Sequence, residues 1–303
     1  MHVKPSDIST EGFFYYISYV IASTSEAIPI INQRNFIFMR IHIHTVDAFT
    51  DTPFKGNPAG VCLTEEPLDE KLMQKIAFEM NLSETAFLEK KNGGSYNLRW
   101  FTPEVEVDLC GHATLASSHI LWEKEKEDKS TTLQFHTRSG LLKANYKDGE
   151  IELDFPVIKS EQIDIPDGLT KALGVKPVSN FKTEWYYIAE LDSEETVRNV
   201  NPDFDMLGKL EAWGTIITAK ASTAGYDFVS RFFAPLKGVK EDPVTGSAHC
   251  ALGPYWMKKL GKNSFKAYQA SKRGGDIGVR VEGDRVFLTG KAVTVFDLAW
   301  WKK

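Results

Sequence analysis

Two stretches decide the reading of this chain: Asp108-Leu109-Cys110-Gly111-His112-Ala113-Thr114-Leu115-Ala116-Ser117 and, 135 residues on from glycine to glycine, Asp242-Pro243-Val244-Thr245-Gly246-Ser247-Ala248-His249-Cys250-Ala251. In each, an Asp and a Gly introduce apolar residues at helical spacing, Leu115, Ile120 and Leu121 in the first and Ala251, Leu252 and Tyr255 in the second. Both read as helix N-termini. A helix start carries unpaired backbone N–H groups and the positive end of the dipole, and glycine there lets an anion approach the main chain, so Gly111 and Gly246 are candidate substrate-binding positions. The shared Gly-[His/Ser]-Ala-x-x-Ala pattern suggests a duplicated unit with a site between the copies.

Around these two stretches the chain is 303 residues long, enough for about two domains with their own cores. Hydrophobic residues are 42% and charged residues 25%, the balance of a folded globular protein. A net charge of −5 without a basic stripe argues against nucleic acid as a partner. Cys62, Cys110 and Cys250 form no C-x-x-C pair, which points to a reducing, cytoplasmic setting and away from a disulfide scaffold. The apolar run Gly12 to Ala22 is shorter than the roughly 20 residues of a membrane span and lacks the flanks of a targeting signal. No membrane partner is expected, and residues 1–38 read as an extension outside the core fold.

From Met39 onward, strands are expected at Arg40–Ala48, Ala59–Leu63, Glu84–Leu88 and Tyr96–Phe101, the last two joined by an Asn92-Gly93-Gly94 turn, with a helix over Leu68–Met80. Three more strands, near 131–136, 141–146 and 151–155, follow the first key helix, and Pro156 to Pro166 reads as a boundary. The second half is expected to repeat the style, with short helices after Asp167, at an Asp192/Glu195 capping box and after Asn201-Pro202, and strands near 214–219 and 227–234. The second key helix should stop at Gly261, ahead of four short strands. The expected fold class is α+β: two similar halves, 39–156 and 157–303, each a curved, mostly antiparallel sheet around a central helix, with the last strand free to pack on the first half. Neither key helix carries a dinucleotide or P-loop fingerprint.

Gly56-Asn57-Pro58-Ala59, Asn81-Leu82-Ser83-Glu84-Thr85, Phe101-Thr102-Pro103 followed by Cys110-Gly111-His112, and Glu241-Asp242-Pro243-Val244-Thr245-Gly246-Ser247 occur here in that order. The set resembles the PhzF-like family of phenazine biosynthesis, a branch of the cofactor-independent diaminopimelate epimerase and proline racemase superfamily, and covers Met39 to the C-terminus. The resemblance implies a diaminopimelate epimerase-like fold, a homodimer, no cofactor and an isomerase acting on a small anionic substrate between the halves. It implies that Glu84 shuttles the proton, with His112, Asp242 and Ser247 lining the cleft and Gly111 offering its backbone. In the best understood members the reaction isomerises a dihydro-hydroxyanthranilate. Those enzymes carry Ala before the Gly-His pair and Pro after it, where this chain has Cys110 and Ala113; Cys-Gly-His instead resembles the first thiol motif of proline racemase.

Moving a C–H proton within a small acid takes a base that can return the proton, and one carboxyl group in a dry site can do both. Glu84 fits, although from the residues alone a surface glutamate is the commoner reading. His112, just inside a helix start, is expected neutral because the dipole disfavours its cation; a capping histidine is the bland alternative. Asp242 reads first as a cap of the second helix and second as a proton-transfer group. Ser247 is ambiguous in the same way. Cys110 offers a thiol-based epimerase or racemase as the rival chemistry, for which the second half presents only Asp242-Pro243 near the matching point. A ligand-binding protein without chemistry is the third reading. His42 and His44 on one strand face, and His112 with His119 two turns apart, lack carboxylate partners at ligand spacing, so no metal is expected. Trp300 and Trp301 read as packing or dimer anchors.

Overall fold

A computed structural model describes residues 39–64, 66–91 and 95–302. The 1–38 extension with its Gly12–Ala22 run, the Asn92-Gly93-Gly94 turn and the Trp301 side chain lie outside the described residues.

The elements of the first half are β1 (Met39–Ala48), β2 (Asn57–Thr64), α1 (Glu70–Met80), β3 (Glu84–Lys90), β4 (Ser95–Phe101), β5 (Glu106–Val107), α2 (Gly111–Glu123), β6 (Leu133–Thr137), β7 (Gly140–Lys147) and β8 (Glu150–Pro156). There follow β9 (Glu161–Ile163), α3 (Leu169–Leu173), β10 (Ser179–Lys182), β11 (Tyr186–Glu190), α4 (Glu194–Asn199), α5 (Phe204–Leu207), β12 (Gly214–Lys220), β13 (Phe228–Ala234), β14 (Val239–Asp242) and α6 (Gly246–Leu260). The chain closes with β15 (Ser264–Gln269), β16 (Gly275–Glu282), β17 (Arg285–Gly290) and β18 (Ala292–Lys302).

All the strands join in one mostly antiparallel sheet. From one end the neighbours run β9, β10, β11, β12, β13, β15, β16, β17, then across the middle to β8, β7, β6, β4, β3, β2, β1 and β18, with β14 and β5 as short spurs on β13 and β4. The order is the same read from either end. The parallel pair β2/β3 corresponds to β11/β12, and the parallel pair β4/β6, crossed over by α2, corresponds to β13/β15, crossed over by α6. In this correspondence β18 takes in the first half the place that β9 takes in the second, and the chain returns at its end to β1. Thr50 N–H donates to Lys291 O, and His44 meets Asp297 further along, so β1 and β18 run antiparallel.

Each central helix is buried nearly all round, as a helix wrapped by a curved sheet must be. Ten of the thirteen α2 residues are buried, including Thr114, Ser117 and Ser118. Their hydroxyls cost little there because each donates to the carbonyl one turn back, Thr114 to Cys110 at 2.6 Å, Ser117 to Ala113 at 2.7 Å and Ser118 to Thr114 at 2.9 Å. In α6, Pro254 lacks an N–H and leaves the Cys250 carbonyl without its helical donor. The Ile158 N–H, just past β8, takes that carbonyl at 3.2 Å, so a helix defect becomes a tie to the segment that connects the halves.

One expected start moves. The α4 cap is Ser193, whose hydroxyl accepts from Thr196 N–H at 3.0 Å, one residue after the expected Asp192. Strands β10 and β11 were not expected. All five residues of β11 are buried, so it shows no alternation that would separate it from a helix segment. Among the described residues no helix is long and apolar enough to cross a membrane.

Candidate active site

The two helix tips meet. A Cβ placed on Gly111 would lie 3.4 Å from the Gly246 Cα, and one on Gly246 would lie 3.5 Å from the Gly111 Cα and 3.4 Å from Leu288 Cδ1. The N-cap residues are Cys110 for α2 and Thr245 for α6, and neither side chain caps its helix. Thr245, not Asp242-Pro243, is therefore the residue that matches Cys110 in the second half.

Glu84 opens β3 directly after α1, which Asn81 ends in the left-handed conformation at φ 50°. Its parallel pairing with β2, Ala59 opposite Glu84, carries the carboxyl toward the tip of α2. There Glu84 Oε2 and His112 Nε2 lie 3.2 Å apart, yet neither has a hydrogen-bond partner, and both atoms are buried. On its other side the imidazole Nδ1 is 3.5 Å from Cys110 Sγ and 3.2 Å from Asn57 Nδ2. Asn57 is wholly buried and also donates to Asp242 Oδ1 at 2.8 Å and Val244 O at 2.9 Å, while Ser83 Oγ donates to its Oδ1 at 3.4 Å.

The loop that presents Asn57 is clamped from the second half. Gly56 has φ 61°, and a Cβ there would fall 2.1 Å from Ala48 O, so only glycine makes this turn. Arg273, between β15 and β16, donates to Gly56 O at 2.8 Å, Lys55 O at 2.9 Å and the Asp47 carboxylate at 2.7 Å, and Asp47 accepts the Phe54 N–H at 2.6 Å.

Asp242 ends β14. Its Oδ1 receives the Asn57 amide and its Oδ2 the Thr245 hydroxyl at 2.5 Å. Gln269, fully buried, donates to the Asp242 carbonyl at 2.7 Å and accepts the Thr245 N–H at 2.8 Å. Asp242 thus bonds no N–H of α6, and its reading as a cap is corrected. Ser247 sits one residue inside α6, with its hydroxyl 3.0 Å from the Tyr186 hydroxyl. Tyr186 packs edge-on to Phe232 at 5.2 Å between ring centroids, and Phe232 lies opposite Asp242 in the sheet. Gly214, opposite Tyr186 on β12, leaves room for that ring: a Cβ there would come 2.6 Å from Phe232 Cζ.

The charges are coupled. Burial pulls the His112 imidazole down, but the Glu84 carboxylate beside it outweighs burial, and its pKa lies well above the ordinary histidine value. The expectation of a dipole-depressed, neutral imidazole is therefore corrected, because a carboxylate in contact at 3.2 Å outweighs a partial charge at the helix end. Burial, reinforced by Glu84, pushes the Cys110 thiol up to about 11. Burial also lifts Asp242 to about 6, against the lowering pull of His112.

Glu84, Cys110 and His112 each place one atom of a metal-ligand type within 4.8 Å of the others. A thiol that burial keeps protonated works against ligation, which needs the thiolate. Two other histidines face carboxylates at structural positions: His44 Nδ1 meets Asp297 Oδ1 at 2.5 Å, and His119 meets Glu123, one turn on, at 3.1 Å. The expectation that His112 and His119 lack carboxylate partners is corrected by Glu84 and Glu123.

Glu84, Gly111, His112, Asp242, Gly246 and Ser247 are thus gathered in one place. Asn57, Thr245, Gln269 and Tyr186 join them without having been singled out for a role in the sequence. Asn57 and Thr245 stood inside quoted motifs; Gln269 and Tyr186 carried no signal.

A family model described as phenazine biosynthesis-like protein matches residues 46–297. An uncharacterized isomerase of Halalkalibacterium halodurans is 52% identical over 258 residues, 85% of this chain and 97% of the relative. The crystal structure of a phenazine biosynthesis protein of the PhzF family from Enterococcus faecalis is similar with a TM-score of 0.83 and 44% identity, covering 86% of this chain and 99% of that one. A hydroxyproline epimerase from Agrobacterium vitis, 13% identical with a TM-score of 0.60 over 86% of this chain and 92% of its own, shows the fold alone.

Proposed function

This chain belongs to the phenazine biosynthesis-like protein family, and on that premise we propose that it is an isomerase that moves a proton on a small carboxylate-bearing substrate, with Glu84 as general acid and base. The observation that carries the reading is the pair of buried, unpartnered atoms Glu84 Oε2 and His112 Nε2 beside two facing helix tips. Glu84 takes a proton from one carbon of the substrate and returns it to another. One C–H bond breaks and one forms, so the formula is unchanged and no electrons leave. His112, cationic beside it, faces the carboxyl across 3.2 Å. The first N–H groups of α2 and α6, at Gly111, Gly246 and Ser247, hold the substrate carboxylate. Asp242 supports His112 from the opposite half.

The Cys110–His112 contact of 3.5 Å favours a second reading, in which the thiol is the base. Its pKa of about 11 and the Thr245 hydroxyl at the matching position weigh against it.

Incubation in D2O with a panel of unsaturated and amino carboxylic acids, read by mass spectrometry, tests both. Wild type should load deuterium into at least one acid. Glu84→Gln should keep the fold by circular dichroism and lose exchange by about 10²- to 10⁴-fold. Full exchange in Glu84→Gln with loss in Cys110→Ser would reverse the assignment. Binding without exchange in the wild type would make the protein a binder.

A further inference from the structure

The nitrogen of the Asn57 amide stands within hydrogen-bond distance of three acceptors and owns two hydrogens. The three are Asp242 Oδ1 at 2.8 Å, Val244 O at 2.9 Å and His112 Nδ1 at 3.2 Å. A backbone carbonyl accepts at every pH, so Val244 keeps one hydrogen. The other goes to whichever of Asp242 and His112 is the stronger acceptor at that moment. Asp242 belongs to the second half and His112 to the first, and Asn57 is fully buried, so its second hydrogen is not shared with water.

We propose that Asn57 is a positioning residue that couples the protonation of Asp242 to that of His112 across the cleft, by offering one amide hydrogen to two titrating acceptors. With Asp242 ionised, the hydrogen points to it, and His112 Nδ1 keeps its own proton, with Cys110 Sγ as the nearest acceptor. With His112 neutral, its Nδ1 lone pair draws the hydrogen, and Asp242 loses part of what steadies its charge. A proton leaving one group therefore changes the affinity of the other. The clamp by Arg273 and Asp47 holds the amide where it can reach both.

The titratable groups facing this amide are Asp242 at the end of β14, His112 and Cys110 at the tip of α2, and Glu84 behind His112 at the start of β3. Asp47 sits on the far side of the loop, paired with Arg273. Ser83, beside Glu84, donates to Asn57 Oδ1 and fixes which end of the amide faces the acids.

The inference rests on the isomerase reading only in taking Glu84 as the partner of His112, and its test needs no turnover. The full chain, labelled with nitrogen-15, is titrated by NMR from pH 4 to 9, following the Asn57 side-chain NH2 and the His112 ring nitrogens. In the wild type the NH2 signals should move in step with Asp242, and His112 should show an inflection that Asp242→Asn removes. Asn57→Ser, which keeps one donor hydrogen, should retain that inflection. Asn57→Ala should cut it by about half or more, the remainder being the through-space charge effect. An Asn57 NH2 that stays flat through the titration, or an inflection unchanged in Asn57→Ala, overturns the proposal. Should Asn57→Ala fail to fold, the wild-type NH2 signals decide alone. Coupling without deuterium exchange would remove the isomerase reading and leave this one standing.

Discussion

Asp242 is a partly buried carboxyl whose two oxygens both receive hydrogen bonds, and burial still raises its pKa from the ordinary 3.8 to about 6. The folded state therefore binds the proton more tightly than the unfolded state. The resulting stability is present below about pH 4 and is lost as pH rises through about 6, at a cost of roughly 3 kcal/mol once Asp242 is ionised. Asp242→Asn should accordingly melt higher than wild type at pH 8, with the difference closing below pH 4, and should be poor in deuterium exchange. His112 acts in the same direction: its raised pKa gives stability that is complete below about 6.5 and disappears as pH rises through its folded value. His112→Gln should flatten the alkaline arm of a melting-temperature profile. Much of this site was legible in the residues, because His112 and Asp242 stand beside Gly or Pro in short motifs and Glu84 stands in the run Asn81-Leu82-Ser83-Glu84-Thr85. What was not legible is which charges touch. The cationic state of His112 depends on Glu84, 28 residues earlier, and Asn57 meets Asp242 across 185 residues, distances over which spacing carries no information.

Among the elements, α2 and α6 were readable from their glycine starts, while β11 was not, because a strand buried on both faces has no alternation to show. The contact of the tips leads to a specific expectation. Methyl groups at Gly111 or Gly246 have 3.4 Å to the nearest atom, an ordinary contact, so Gly111→Ala and Gly246→Ala should fold, with stability within about 1 kcal/mol of wild type or slightly above it. The methyl lies between the tips, so exchange should fall far more than stability. Equal loss of both would place the glycines in folding and not in binding. In α6, replacing an interior proline by alanine ordinarily gains about 3 kcal/mol. Pro254→Ala should gain less in a chemical denaturation experiment, because the N–H restored at that position would compete with the Ile158 N–H for the Cys250 carbonyl.

At the scale of the molecule, the halves are joined by the antiparallel pair β8/β17, over Arg285 opposite Pro156 to Gly290 opposite Ile151. Leu153 and Leu288 face each other there, both buried, and Leu288 also lies against Gly246. Leu288→Ala should cost about 2–5 kcal/mol and reduce exchange as well. Urea unfolding of wild type should give coincident transitions by tryptophan fluorescence and circular dichroism, and two separated steps would show that the seam does not make one cooperative unit. The α+β class followed from turn-linked strands that outnumber the helices, and the repeated helix starts suggested a duplicated unit. The exchange of β18 for β9 rests on pairings between residues far apart in the chain, which no local pattern records. Where the two helix tips touch, the opposing surfaces are bare main chain, since Gly111 and Gly246 have no side chains to present. A contact made of peptide groups has nothing to mutate without narrowing it, so under the proposed isomerase reading any difference in the molecule accepted has to be written into its flanks, where Tyr186, Phe232 and Ser247 stand.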